Sequence, residues 1–497
     1  MLRPSAENIH RRAATAAVVS IDSGGEDGVG KKYNNAKNKA SPFVSKILCP
    51  VLLAISILIA VIILYDTFMT AKTDRSLENA AFDNIINRTR HNRQHCQSLG
   101  TLSEQSQLDI NNHKAHLPPF GFLDAATSYR NLHPKQVDSS YPYTCELPPE
   151  NECGETKFTV IFMAYNPDRL VKLSNEIKKM LTDTKFSKMV AEVIVVWNGE
   201  RHIDETPLGR KLLDLGKTLP LRISYPLKAG FPNDLMNRYH PRLEVTTKAI
   251  LYYDDDGPFY VTDAIKGGFE LWKRNSNAQI GAMARKIDLG DRQTQESLGV
   301  SKDPNDRFFV SHCPTDEARY NYFTFANFDA RMVLPSGSFL HSNYLCFIWH
   351  PIFEDIRKYV RSHPVNPDDG TVSMLVSQLA GRAPKVYSRR LPRAEKETQE
   401  QHLKQNHRRL MDGIDWDSKG DSESHNKKMY WGRLRSDVAN SLARYFGSIN
   451  SGSLGWCYGT EYHIKKKDQD LCNPEMAKVG MLPWMKPDNS EGGSCPL

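Results

Sequence analysis

The stretch FTVIFMAYNPDRLVKLSNEIKKMLTDTKFSKMVAEVIVVWNG, residues 158–199, decides the fold. Its two ends, FTVIFMAY (Phe158 to Tyr165) and VIVVW (Val193 to Trp197), are apolar, β-branched runs without polar alternation, the pattern of strands covered on both faces. Asp168 to Asp183, between them, reads as a helix. Strand, helix and strand in this order form a βαβ unit and predict a parallel sheet, to which AILYY (Ala249 to Tyr253) adds a third buried strand. The core is expected to be α/β.

Working outward, the 497 residues, 40% of them hydrophobic, suffice for at least one large core. With 25% charged and 9% aromatic residues, wholesale disorder, collagen-like repetition and a multi-pass membrane architecture are not expected. Residues 1–46 hold eight basic and four acidic side chains, which is more than half of the formal net charge of +7. They precede ILCPVLLAISILIAVIILY (Ile47 to Tyr65), an uncharged run about long enough to cross a bilayer as a helix. It lies too far from the N-terminus, and is too long, for a cleavable signal peptide, so a retained signal anchor is expected. The basic side should stay cytoplasmic, giving a single-pass type II topology. Residues 66–155 are polar, broken by Pro118-Pro119 and Pro148-Pro149, and read as a luminal stem. A folded domain follows over 156–450, and 451–497 form a tail carrying Cys457, Cys472 and Cys495.

Beyond the apolar run stand Cys96, Cys145, Cys153, Cys313, Cys346 and the three tail cysteines, an even number that permits full pairing in an oxidising lumen. On the order of a hundred connectivities are open to them. None forms a CxxC, so zinc has little support. Asn87-Arg88-Thr89 is a glycosylation triplet that suits a luminal orientation.

The third strand runs straight into Asp254-Asp255-Asp256-Gly257. Ligands of open α/β sheets sit at this carboxyl edge. Three adjacent carboxylates repel one another, a cost that a hard divalent cation would relieve, and such a cation could bridge a diphosphate. The plainer reading is a solvated turn before a helix cap at Thr262 and Asp263. Upstream, Asn233-Asp-Leu-Met-Asn-Arg238 has an arginine able to fork onto a phosphate, although by itself it reads as a surface helix. Asn198-Gly199 is a turn signal first and a base or ribose contact second. Asn366-Pro-Asp-Asp369-Gly precedes a helical run over Thr371 to Ala380, where an aspartate would serve as a cap. Arg435 sits in an amphipathic helix ending at Gly447, where a solvated surface charge is the ordinary reading.

Taken in order, these segments resemble the exostosin-like glycosyltransferases over roughly residues 156–448. FTVIFMAYN and VIVVWNG resemble that family's first two strands, and NDLMNR followed by the acidic trio resembles its nucleotide segment. MVLPSGSF (Met332 to Phe339), EKET (Glu395 to Thr398) and the helix with Arg435, Asn440 and Phe446-Gly447 extend the likeness. The resemblance implies a GT-A fold with a Rossmann-like nucleotide-binding half, Mn²⁺ as cofactor, and retaining transfer from a UDP-sugar donor, an N-acetylhexosamine or related hexose, to a glycan or glycolipid acceptor. It further implies that Asp256 ligates the metal and that Asn198, Asn233, Arg238, Asp254, Asp255 and Asn366 contact the nucleotide sugar. Asp369 would lie beside the anomeric carbon and Arg435 would face the diphosphate.

The chain departs from that pattern at Met163, Pro167 and Arg169, where relatives carry a glutamine and an arginine, and at Pro367 and Val438, where they often carry paired cysteines. The insert between Thr398 and Arg435 is longer and of mixed charge, suggesting a flap or an acceptor loop. The expected protein is a Golgi or endoplasmic-reticulum glycosyltransferase with its catalytic domain in the lumen. The alternative is a catalytically silent glycan-binding or partner subunit, and oligomeric state is left open. Nucleic acid is not expected as a partner, because the basic excess is mostly in the leader and no basic groove or stacking motif accompanies it.

Overall fold

In a computed structural model, the described residues are 57–63, 80–100, 117–132, 141, 143, 145–282, 284–288, 299–300, 310–313, 319–321, 332–382, 384–387 and 421–451. The leader, most of the apolar run, residues 395–398 and the tail beyond Ser451 lie outside them. The chain divides into two units, Met1–Lys72 and Thr73–Leu497. In the first, residues 57–63 are helical and expose Ile57, Leu58, Ile59, Val61 and Ile62. Among the described residues, no helix is long and apolar enough to cross a membrane.

The second unit has nine helices among its described residues: α1 (80–98), α2 (Gly121–Asn131), α3 (Leu170–Thr182), α4 (Pro207–Leu215), α5 (Thr262–Lys273), α6 (Asn343–Trp349), α7 (Glu354–Ser362), α8 (Asp368–Ala380) and α9 (Asp421–Phe446). Its longer strands are β1 (Phe158–Ala164), β2 (Val190–Trp197), β3 (Leu221–Ser224) and β4 (Ala249–Asp254). Shorter ones are β5 (Ile280–Gly281), β6 (Ala284–Asp288), β7 (Gly299–Val300), β8 (Val310–His312), β9 (Arg319–Asn321), β10 (Met332–Val333), β11 (Ser338–His341), β12 (Lys385–Val386) and β13 (Ile449–Ser451).

Seven strands form the main sheet in the order β12-β5-β11-β4-β1-β2-β3. β1 pairs in parallel with β2 and β4, β2 with β3, and β11 runs antiparallel between β4 and β5. The fold is mixed α/β with a mostly parallel sheet. Along β1, Phe158, Val160, Phe162 and Ala164 face a core shared with Leu170, Leu173 and Ile177 of α3 and Phe269 and Trp272 of α5. Ile161 and Met163 face the opposite core, with Tyr344 and Phe347 of α6, Leu375 of α8 and Leu442 of α9. This period of two, covered on both sides, is why the strands read as unbroken apolar runs. Two three-stranded sheets, β10-β6-β9 and β13-β8-β7, complete the unit.

The sequence reading placed 66–155 in a stem apart from the domain. The described part of that segment is instead folded onto it: Phe82 and Ile85 of α1 and Phe122 of α2 are buried in the core beside Phe347, Phe353 and Phe446. The Cys145–Cys346 disulfide ties the segment to α6, and Cys96–Cys313 ties α1 to the end of β8. Each helix buries one short apolar cluster, Phe82, Ile85 and Ile86 on α1 and Phe122 and Leu123 on α2, set among polar residues without a sustained repeat. Asn87 of the glycosylation triplet is exposed on α1, while Thr89 is buried and donates its hydroxyl to the Ile85 carbonyl at 2.8 Å.

Candidate functional site

Sheet order reverses at β1, whose neighbours are β2 on one side and β4 on the other. A crevice outside the carboxyl ends of β1 and β4 is the usual ligand position in such sheets. Here β4 delivers its acidic trio. Asp255 and Asp256 form the centre of a β-turn closed by the Gly257 N–H on the Asp254 carbonyl at 3.2 Å, and Gly257 takes a φ of 85°, which suits only glycine well. Ser336 fixes the first carboxylate: its Oγ accepts the Asp254 N–H and lies 3.0 Å from Asp254 Oδ2, to which it donates.

Arg238 holds the other oxygen of Asp254. Its Nη1 donates to Asp254 Oδ1 at 2.7 Å, and its Nη2 lies 3.4 Å from Asp368 Oδ2. The expected surface helix is therefore corrected: Leu235–Tyr239 is a 3₁₀ helix, and Arg238 is 3% exposed. A guanidinium so buried needs counter-charges, which the two aspartates supply. Burial alone would lower its pKa, but Asp368 and Asp254 reverse that and raise it. Asp368 bears the opposite effect, its carboxyl pushed up to about 7 by burial, with Arg238 opposing and Asp369 and Asp254 adding.

The expectation of an aspartate cap at this helix also changes. Pro367 is the N-cap of α8, and Asp368 and Asp369 lie within the first turn, where negative charge is favoured by the helix dipole. Asp369 is partly exposed, and its Oδ1 accepts the Gly370 N–H at 2.7 Å. Asn366 is exposed in a left-handed conformation (φ 42°), its carbonyl accepting the Asp368 N–H at 2.8 Å. Pro367 and Val438, which stand where relatives often have cysteines, are both buried.

The remaining two acids face Arg169, from the turn after β1. Its Nη1 lies 2.8 Å from Asp255 Oδ1 and 3.2 Å from Asp256 Oδ2. Lys172, in the first turn of α3, donates from Nζ to the Asp256 carbonyl at 2.6 Å. Burial pushes Asp255 up to about 6 and raises Asp256, Arg169 opposing in both cases. Tyr165, at the end of β1, is 50% exposed, with Arg169 5.7 Å from its ring centre. Met163 is buried in the core and presents nothing to the crevice.

Asn198, at the end of β2, is buried with both polar atoms engaged. Its Nδ2 donates to the Asp234 carbonyl at 2.8 Å and its Oδ1 accepts from Asn237 Nδ2 at 3.1 Å. Asp234 accepts from the Met236 N–H at 2.9 Å and from Arg361 Nε of α7 at 3.0 Å. Asn198 thus anchors the segment bearing Arg238, while Asn233 beside it is exposed. Arg435 is on α9, with Nη1 donating to the Tyr320 hydroxyl at 3.4 Å; Arg285 Nε donates to the same oxygen at 3.1 Å. Tyr320 is raised by burial first and then by the Asp369 charge, so β9 gathers Arg285, Arg435 and Asp369 around one phenol.

Among the described residues, no three His, Cys, Asp or Glu side chains converge into a cage for a metal. A divalent cation that arrives with a diphosphate needs only one or two carboxylates. Asp255 Oδ2 is buried without a hydrogen bond, and Asp256 is partly exposed, so the pair fits that mode of binding. Asp254 does not, both its oxygens being taken by Arg238 and Ser336.

The model of the glycosyl transferase family 64 domain matches residues 158–413, just over half of the chain. The chain belongs to glycosyl transferase family 64. Its relatives include Exostosin-2 of Homo sapiens, 24% identical over 238 residues, which are 48% of this chain and 27% of that protein. The exostosin-like-3 homolog of Caenorhabditis elegans is 25% identical over 232 residues, 46% of this chain and 23% of that protein. A plant relative, glucosamine inositolphosphorylceramide transferase 1 of Oryza sativa subsp. japonica, is 28% identical over 133 residues, 27% and 16% of the two chains. The chain thus spans about a quarter of the exostosin relatives' length. Mannosyl-3-phosphoglycerate synthase from Rubrobacter xylanophilus covers 55% of this chain and 82% of its own at 11% identity, with a TM-score of 0.24, too low to establish a common fold. In this family 64 chain, the matched region runs from β1 through the trio and α8, and Arg435 lies beyond it.

The geometry brings Asp254, Asp255, Asp256, Arg238 and, through Arg238, Asp368 and Asp369 to one end of the sheet. Arg435 joins through Tyr320. Sequence reasoning passed over Asp368, Ser336, Lys172 and Tyr320. Asp368 stands next to Asp369, which the family resemblance singles out, and no local signal in the sequence separates the two. For Arg238, the flanking Met236 and Tyr239, both buried, were the missed sign of an inward turn.

Proposed function

We propose that this chain is a retaining glycosyltransferase of GT-A type that uses a UDP-sugar with Mn²⁺ and adds an N-acetylhexosamine to a glycan or glycolipid. The reading rests on one observation: the acidic turn at the β1/β4 switch point is tied by a single buried arginine to the helix start that carries Asp369. The plant relative, a glucosamine inositolphosphorylceramide transferase by name, supports an amino sugar and a glycan or lipid acceptor.

In this reading, Asp256 and Asp255 would hold the cation, which would supply positive charge to the departing diphosphate. Arg169 and Lys172 border the same place and offer fixed positive charge to phosphate oxygens. Exposed Tyr165 and Asn233 line the base and ribose side, and Asn198 keeps the Asn233 segment in position. Asp369 stabilises positive charge on the anomeric carbon, and Arg435, aimed by Tyr320, offsets negative charge on the departing group. Asn366 is assigned to the sugar. The leader and apolar run would anchor the chain in a Golgi or endoplasmic-reticulum membrane, with the disulfide-linked domain in the lumen.

The test is release of UDP by the full-length protein from a panel of UDP-sugars, with and without Mn²⁺. Manganese-dependent turnover of one of them is expected. A folded protein that neither binds UDP nor hydrolyses any donor would favour a silent partner subunit, a reading to which buried Met163 and the Arg169-neutralised acids lend support.

A further inference from the structure

We propose that Arg169 is an exchangeable counter-ion that makes cation binding at Asp255 and Asp256 depend on a diphosphate. This rests on the donor-site reading above. One guanidinium nitrogen stands 2.8 Å from Asp255 Oδ1 and 3.2 Å from Asp256 Oδ2, between the two carboxylates that would hold the cation. The two arginines of the turn differ in freedom: the Arg169 side chain is 29% exposed and that of Arg238 is 3% exposed. Arg169 can swing outward, whereas Arg238 is enclosed with its partners.

Asp255 also keeps a buried Oδ2 that accepts no hydrogen bond, an oxygen unsatisfied by the protein's own cations. A bare divalent ion approaching it meets Arg169 and, on the Asp256 carbonyl, the Lys172 ammonium, and like charges disfavour its entry. To make room, Arg169 must give up both carboxylates for water. A diphosphate changes that balance, because the guanidinium then exchanges carboxylate oxygens for phosphate oxygens of equal fork geometry. Cation and diphosphate are thereby thermodynamically coupled, each tightening the other by the same factor.

The experiment measures free Mn²⁺ by electron paramagnetic resonance as the full-length protein is titrated, without nucleotide and with saturating UDP. The wild type should bind Mn²⁺ at least about tenfold more tightly with UDP, within the usual range of such couplings. Arg169→Gln should bind Mn²⁺ about tenfold more tightly than the wild type when UDP is absent, with a smaller UDP-dependent gain, the remainder being the direct attraction between cation and diphosphate. Arg169→Lys keeps the charge without the fork, so it should retain weak nucleotide-free binding and lose part of the gain; it carries the test if the glutamine variant does not fold. Nucleotide-free affinity unchanged or weakened in Arg169→Gln, or an undiminished gain in Arg169→Lys, overturns the proposal while leaving the donor site standing. No Mn²⁺ binding by the wild type even with UDP overturns the donor site itself.

Discussion

Asp254, at the end of β4, and Asp368, in the first turn of α8, share one buried guanidinium, that of Arg238, at 2.7 and 3.4 Å. The edge of the sheet and the start of a helix about a hundred residues later are held in register by that contact. Relatives often join the loop before this helix to the last helix through paired cysteines. Here Pro367 and Val438 occupy those places, and the electrostatic strut together with the Tyr320–Arg435 bond holds the two sides of the site.

Arg238→Met removes the charge between two carboxylates and leaves both without it. The loss should be about 3–5 kcal/mol, the cost of breaking a buried ion pair by deleting one partner. A shift of the denaturant midpoint to lower concentration checks it. Arg238→Lys, which keeps the charge but cannot span both aspartates, should fall between.

Asp368 gives a pH dependence of definite sign. Its folded pKa, about 7, lies above its unfolded value, so its contribution to stability is complete below the ordinary carboxylate range and is lost as pH rises through about 7. Asp368→Asn cannot ionise and escapes that loss. Urea midpoints between about pH 5 and about pH 8 should therefore rise for the variant relative to the wild type as pH increases.

The Cys145–Cys346 disulfide closes a separation of 201 residues. Replacing both cysteines by serine should cost about 2–5 kcal/mol. The readout is the thermal midpoint under non-reducing conditions, and the wild type treated with a reductant should move in the same direction.

Removing the carboxylate assigned to the anomeric carbon, Asp369→Asn, should lower kcat by about 10²–10³-fold with the fold intact, as for loss of one transition-state charge contact. Tyr320→Phe removes the oxygen that accepts from Arg435 and Arg285, so kcat should fall by about tenfold with KM for the donor little changed. Initial-rate kinetics on the UDP-sugar that turns over provide both numbers.

The parallel strands and the acidic turn were legible because each is local. Phe158–Ala164 and Ala249–Asp254 are unbroken apolar runs, and the trio begins where the second one ends. Arg238 was not legible as a strut, because its partners lie 16 and 130 positions away along the chain and no periodicity links them. Asp368 and Asp369 read alike in sequence; only burial separates the one that answers Arg238 from the one left partly open. Residues of the presumed stem were misjudged for a related reason, since the buried Phe82, Ile85 and Ile86 of α1 and Phe122 and Leu123 of α2 are short apolar clusters in otherwise polar segments. Tyr320 sits in a strand of three residues, too short to carry a pattern.

Calorimetric titration of UDP into the full-length protein, with and without Mn²⁺, for the wild type and Asp256→Asn, tests most directly that the turn after β4 is a cation-dependent diphosphate site. The wild type should bind UDP with Mn²⁺ and at least about tenfold more weakly without it, and Asp256→Asn should show the weak binding in both conditions. Manganese-assisted binding of equal strength in the wild type and in Asp256→Asn would contradict it.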